Sequence, residues 1–95
     1  MKRSLSAALV VVALSAAPAW AECYADYKAK QDNPLRLHYG VMEVPDAACS
    51  NAAAAAAIAP RLQAAGWTVL TVLSTFGQEG LAERKASAGD YFLRY

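Results

Sequence analysis

Between residues 50 and 76 the apolar positions change period once, at Gly66. Upstream of it, at about 100° per residue, Ala54, Ala55, Ile58, Leu62 and Ala65 fall on one stripe and Ala53, Ala56, Pro60 and Gln63 fall opposite. This predicts an alanine-rich helix over residues 50–65, built from the best helix former and narrow enough to lie close on a sheet. Asp46, Ser50 and Asn51 are its candidate N-caps, and Gly66 stands where a left-handed C′ residue is expected. Pro60 inside the pattern removes one hydrogen bond and crowds the carbonyl of Ala56, at a cost of about 3 kcal/mol. Its phase puts it on the outer side, where a bend is tolerated. The reading is one long kinked helix; two short helices broken at Ala59–Pro60 are the alternative.

Downstream the period is two. Residues 67–76 are rich in Trp, Thr, Val and Phe, and predict a strand with Val69, Thr71, Leu73 and Thr75 on one face and Leu70, Val72, Ser74 and Phe76 on the other. Residues 35–44 predict another. Leu35, Leu37, Tyr39 and Val41 are expected under the main helix, and Arg36, His38, Gly40, Met42 and Val44 on the face away from it. Gly40 within that strand marks a bulge or a close approach. Residues 22–31 read as a short helix ended by Asp32-Asn33-Pro34, with its tyrosine rings packed on the sheet. Residues 81–88 read as a second short helix stopped by Gly89, and residues 90–95, alternating Tyr91, Leu93 and Tyr95 with Phe92 and Arg94, as a final strand. The helix between the first two strands is long enough for a right-handed parallel crossover. The expected fold is α+β: a small two-layer sandwich with a three-stranded mixed sheet, one long kinked helix and two short ones.

The first 21 residues stand apart. Lys2 and Arg3 precede an uncharged apolar run over 5–17, Pro18 breaks it, and Ala19-Trp20-Ala21 places small residues where an export peptidase reads. The run is short against the roughly 20 residues of a membrane span. Residues 1–21 are therefore expected to be a cleaved signal peptide, with residues 22–95 as one small domain in the periplasm or secreted, free of the membrane. Removing 21 of 95 residues leaves 74, with seven bases against eight acids. A net charge of −1 argues against nucleic-acid binding, which draws on a basic face.

A domain this small often needs a staple. Cys23 and Cys49 are the only cysteines, and an oxidising compartment favours their pairing. The loop they close holds 27 residues, which chain entropy converts to about 3.5 kcal/mol of stabilisation. Their spacing fits neither CxxC redox chemistry nor haem attachment, and a metal site would want more than these two cysteines and one histidine.

At YADYKAKQDNPLRLHYGV, AAGWTVLTVLSTF and the closing GDYFLRY the chain resembles a group of small exported alphaproteobacterial proteins of unknown function. The order of helix, Gly-Trp, strand and final strand with a basic residue is also similar to a generic uncharacterised bacterial βαββ domain. Neither resemblance implies an activity.

An enzyme needs partnered groups, and the chain has one histidine and no nucleophile elbow, zinc-protease, phosphate-loop or dinucleotide motif. The expectation is a non-catalytic module without cofactor or metal, binding a protein partner or itself. The alternative is a small-anion or small-ligand binder. Arg36 and His38 share a strand face, and Arg94 on the final strand can join them to hold a carboxylate or phosphate. The export reading has a direct check: the intact mass of protein recovered from the periplasm should begin at Glu22, and a product that keeps Met1 or stays in the membrane fraction contradicts it.

Overall fold

A computed structural model describes residues 23–95. The expected signal segment, 1–21, lies outside the described residues. Three strands form one antiparallel sheet: β1 (Cys23–Gln31), β2 (Arg36–Val44) and β3 (Thr68–Phe76), in the order β2-β1-β3. Helix α1 (Asn51–Ala64) connects β2 to β3, and helix α2 (Leu81–Ala88) follows β3. The fold is α+β.

The segment 23–31 is a strand and not the expected short helix. Its alanines, lysines and glutamine favour helix, yet Cys23, Ala25, Tyr27 and Ala29 also alternate, and all four are buried beneath α1. As the central strand, β1 hydrogen-bonds on both edges, pairing Cys23–Val44 through Gln31–Arg36 on one side and Tyr24–Phe76 through Lys30–Thr68 on the other. Tertiary pairing overrides propensity here. Asp32–Asn33–Pro34, expected to end a helix, instead forms the β1–β2 turn, with Asn33 at φ 64° and a cis Asn33–Pro34 bond.

Inserting β1 changes the topology. β2 and β3 run parallel, as a crossover requires, but β1 lies between them and is antiparallel to both. The sheet is thus antiparallel and not mixed.

α1 is one helix, not two, with Pro60 inside it and exposed as its phase requires. Ser50 caps its start, its hydroxyl accepting from the Ala53 amide at 3.2 Å. At its end the Gly66 amide donates to Gln63 O at 3.0 Å and the Trp67 amide to Leu62 O at 2.9 Å, with Gly66 at φ 89°. This is a Schellman closure, and it folds Trp67 back onto Leu62 in the core. Ala54, Ile58 and Leu62 of the predicted stripe are fully buried against Ala25, Tyr27, Ala29, Met42, Val44 and Val72.

The expected facing of β2 is reversed. Met42 and Val44 lie under α1, while Leu35 and Leu37 are each 64% exposed. Gly40 decides this: it faces Tyr27 across the pair, and the fully buried phenol ring passes directly over it. Strict alternation also fails in β3. The pairing with β1 skips Leu73 and then Leu70, so Val69 and Val72, three residues apart, both reach the core while the extra leucines are exposed.

Helix α2 packs on the other face, where Ala88 and Leu81 meet Tyr24, Val41, Tyr39 and Phe76. Helices therefore cover both faces of the sheet, giving three layers where two were expected. The final strand is absent as well. Residues 89–91 make a 3-10 turn, Phe92 forms a single parallel bridge to Val41, and Leu93 at φ 56° turns the chain away before a ladder can extend. The disulfide Cys23–Cys49 joins the start of β1 to the segment entering α1, with 5.9 Å between Cα atoms.

A Cβ at Gly40 would sit 2.6 Å from Tyr27 Cζ. The ring is fully enclosed and has nowhere to move. Gly40→Ala should therefore destabilise the protein by about 1–3 kcal/mol. Urea unfolding checks this, and an unchanged midpoint contradicts it.

Candidate functional site

Three groups of side chains carry polar or apolar chemistry, and the two faces of β1 set them apart. On the α2 face, Asp26 is buried and accepts three hydrogen bonds: from Ser74 Oγ at 2.7 Å, Tyr39 Oη at 2.8 Å and Arg84 Nε at 3.1 Å. The register explains the convergence. Asp26 stands opposite Ser74 on β3, and Tyr39 follows on the same face of β2. Arg84 reaches down from α2, its guanidinium 3.9 Å above the Phe76 ring and its Nη1 donating to Gly80 O at 2.8 Å. Burial raises the Asp26 pKa, but the Ser74, Tyr39 and Arg84 hydrogen bonds and the Arg84 charge outweigh it and hold the carboxyl below its ordinary value. Burial, and then the carboxylate of Asp26, push the Tyr39 phenol up to about 12. A carboxylate so satisfied is a poor proton carrier; it ties α2 to the sheet. Sequence reading missed this network because its members lie in four different elements.

On the α1 face stands His38, buried to 8% exposure. Tyr91 stacks on its ring at 3.8 Å between centroids and 12° between planes, and Trp67 meets it edge-on at 4.2 Å. Tyr27 Oη is 2.9 Å from Nε2, and Nδ1 has no hydrogen-bond partner among the described residues. Burial first, and then the nearby charge of Arg94, hold its pKa below the ordinary value.

His38 and, by alternation, Arg36 thus lie on the sheet face that carries α1, not on the face away from it. His38 and Arg94 are brought together. Arg94 arrives through the turn after α2, its guanidinium 5.6 Å from the Tyr91 ring centre and 5.7 Å from that of Tyr95. Arg36 shares the face by alternation but is exposed, its side chain making no hydrogen bond or ion pair among the described residues. Tyr24 and Tyr27 lie on opposite faces of β1 and are both packed.

The third group is a shallow groove of about 280 Å³ lined by Lys28, Leu37, His38, Tyr39 and Leu70. It exists because α2 covers only the end of its face around Tyr24 and Asp26. Leu37, at 64% exposure, and the bulge residue Leu70, at 51%, form its apolar walls. Leu70 was invisible as a surface residue in the sequence, where it alternates with the buried set.

Among the described residues no cluster of three or more His, Cys, Asp or Glu side chains is placed to hold a metal ion, and no helix is long and apolar enough to cross a membrane. Comparisons with family models, with curated proteins and with solved structures give no match.

A lowered carboxyl pKa in the folded state means that the Asp26 contribution is present above its unfolded pKa of about 3.9 and is lost as pH falls through the folded value. Arg84→Met should therefore cost about 1.5–3 kcal/mol at pH 7. That loss should shrink as pH falls below about 3.9. Urea titrations at several pH values measure both, and a pH-independent loss contradicts the linkage.

Proposed function

We propose that the protein is a non-catalytic exported module that binds a partner protein in the groove between Leu37 and Leu70. The observation that carries this reading is the half-covered sheet face. Exposed leucines from two strands flank a depression there, and so contiguous an apolar surface on a small domain suits a partner. Lys28 lies in the groove, so the partner segment is expected to combine apolar side chains with an acidic group. The resemblance to small exported proteins and the lone disulfide support a periplasmic or secreted setting. The absence of partnered catalytic groups in the sequence supports a binding role over an enzymatic one.

A second reading is a small-anion site at His38 and Arg94 with Arg36 at its margin, favoured by an Nδ1 unpartnered among the described residues and by the nearby charge of Arg94. It predicts that phosphate or acetate raises the His38 pKa, which the ring's NMR titration detects directly.

For the groove, a photo-crosslinking residue placed at Leu70 should give an adduct with another protein in exporting cells. Leu37→Ser or Lys28→Glu should reduce that adduct at least several-fold. Because these side chains are exposed, thermal stability should stay within about 0.5 kcal/mol of wild type. An adduct of twice the protein's own mass identifies self-association, and an adduct indifferent to both substitutions contradicts the groove.

A further inference from the structure

We propose that residues 89–95 form an acid-released strap: neutral His38 holds the segment closed over the outer edge of β2, and protonation of that imidazole frees it. The strap wraps the edge. Phe92 packs on the α2 face with Tyr24, Val41 and Ala88, while Tyr91 and Tyr95 pack on the α1 face. Few backbone bonds hold it. The Leu93 amide donates to Val41 O at 2.9 Å, and Arg61 Nη2 donates to Tyr95 O at 2.6 Å while its Nη1 reaches Glu43 O at 2.9 Å. Leu93, 43% exposed, sits at φ 56°, a left-handed conformation that a leucine adopts only under constraint. The closed strap is thus held against local strain, in part by the Tyr91 ring stacked on His38 and the tilted Tyr95 ring beside it.

The surroundings of His38 suit a neutral ring and oppose a charged one. From β1 it meets the phenol of Tyr27, whose pKa burial pushes up; from the segment before β3 it meets Trp67; from the strap, Tyr91, Tyr95 and Arg94. Arg36 is on the same face of its own strand, and Arg61 of α1 reaches the end of the strap. Among the described residues no carboxylate hydrogen-bonds to the ring. With both ring nitrogens protonated, Nε2 can donate to Tyr27 Oη, but Nδ1–H has no acceptor and its charge is buried. Opening the strap admits water to Nδ1. It also carries away Arg94, which stands on the strap's own rings. Protonation and opening therefore reinforce each other. The open form exposes the Val41 carbonyl on the β2 edge together with His38 and Trp67, giving acid conditions a second surface that neutral conditions hide.

Amide hydrogen exchange by NMR on the full exported protein, in buffer without phosphate or carboxylate, tests this. His38 is the only histidine in the chain, so its ring resonance reports one titration. After correction for intrinsic exchange, protection of the Leu93 amide should fall by up to about tenfold per pH unit below about 6.5, while amides of β1 stay protected. The fall should begin near the open-state value of about 6.5 and precede the ring titration of the closed protein, which lies lower, and His38→Phe should make Leu93 protection independent of pH. Leu93 and β1 amides losing protection in parallel would mean global unfolding and overturn the strap. A flat Leu93 profile, a fall that begins only below the ring titration, or the same fall in a folded His38→Phe variant would overturn it too.

Discussion

The ring of Tyr27 lying over Gly40 is the contact on which the rest of the molecule depends. Tyr27 is on the central strand and fully buried, and it spends its one polar atom on His38. Only a residue without a side chain lets the ring pass β2 this closely. That passage fixes which face of β2 looks toward α1, and so turns Met42 and Val44 inward and Leu35 and Leu37 outward. It also sets His38 at the edge of the core, where Trp67 and Tyr91 close around it. The strap and the Leu37 wall of the groove are consequences of that register, while the Leu70 wall comes from the bulge in β3.

Small residues complete the arrangement. Ala25 and Ala29 flank Tyr27 on the same face of β1, and Ala54 faces them from α1. With methyl groups on both sides, the helix settles onto the sheet and bulk is concentrated in Tyr27, Ile58, Leu62 and Met42. A domain of this size cannot fill a broad core. It uses one aromatic ring surrounded by alanines, and a disulfide at the margin where β1 begins.

The two polar clusters contrast in how they are satisfied. Asp26 is a buried charge given three donors, one of them the cation Arg84, so it stays ionised and fastens α2. His38 is a buried base given four aromatic neighbours, one of which, Tyr27, is its single polar partner, so it stays neutral. One cluster confers rigidity at neutral pH. The other leaves the turn after α2 sensitive to a single proton.

Much of this was legible in the chain. The helix over 51–64, its glycine stop and the Ala54, Ile58 and Leu62 core of its stripe follow from phase and capping chemistry, which are local, while the structure selects Ser50 among three candidate caps and leaves Ala65 exposed. The strands over 36–44 and 68–76, the helix over 81–88 and the cysteine pair follow from composition, period and count. What local rules could not decide was whether 23–31 is helix or strand, because its alanines and lysines serve both and only the two neighbouring strands choose between them. Nor could they choose the inward face of β2, which Gly40 and Tyr27 settle across the sheet. The bulges at Leu70 and Leu73, and the left-handed Leu93 that ends the last segment, were equally hidden. So the sequence by itself determined the period and the glycine stop of the main helix and the covalent staple. The tertiary structure decided the register, and with it which leucines meet water and why the only histidine lies buried between aromatic rings.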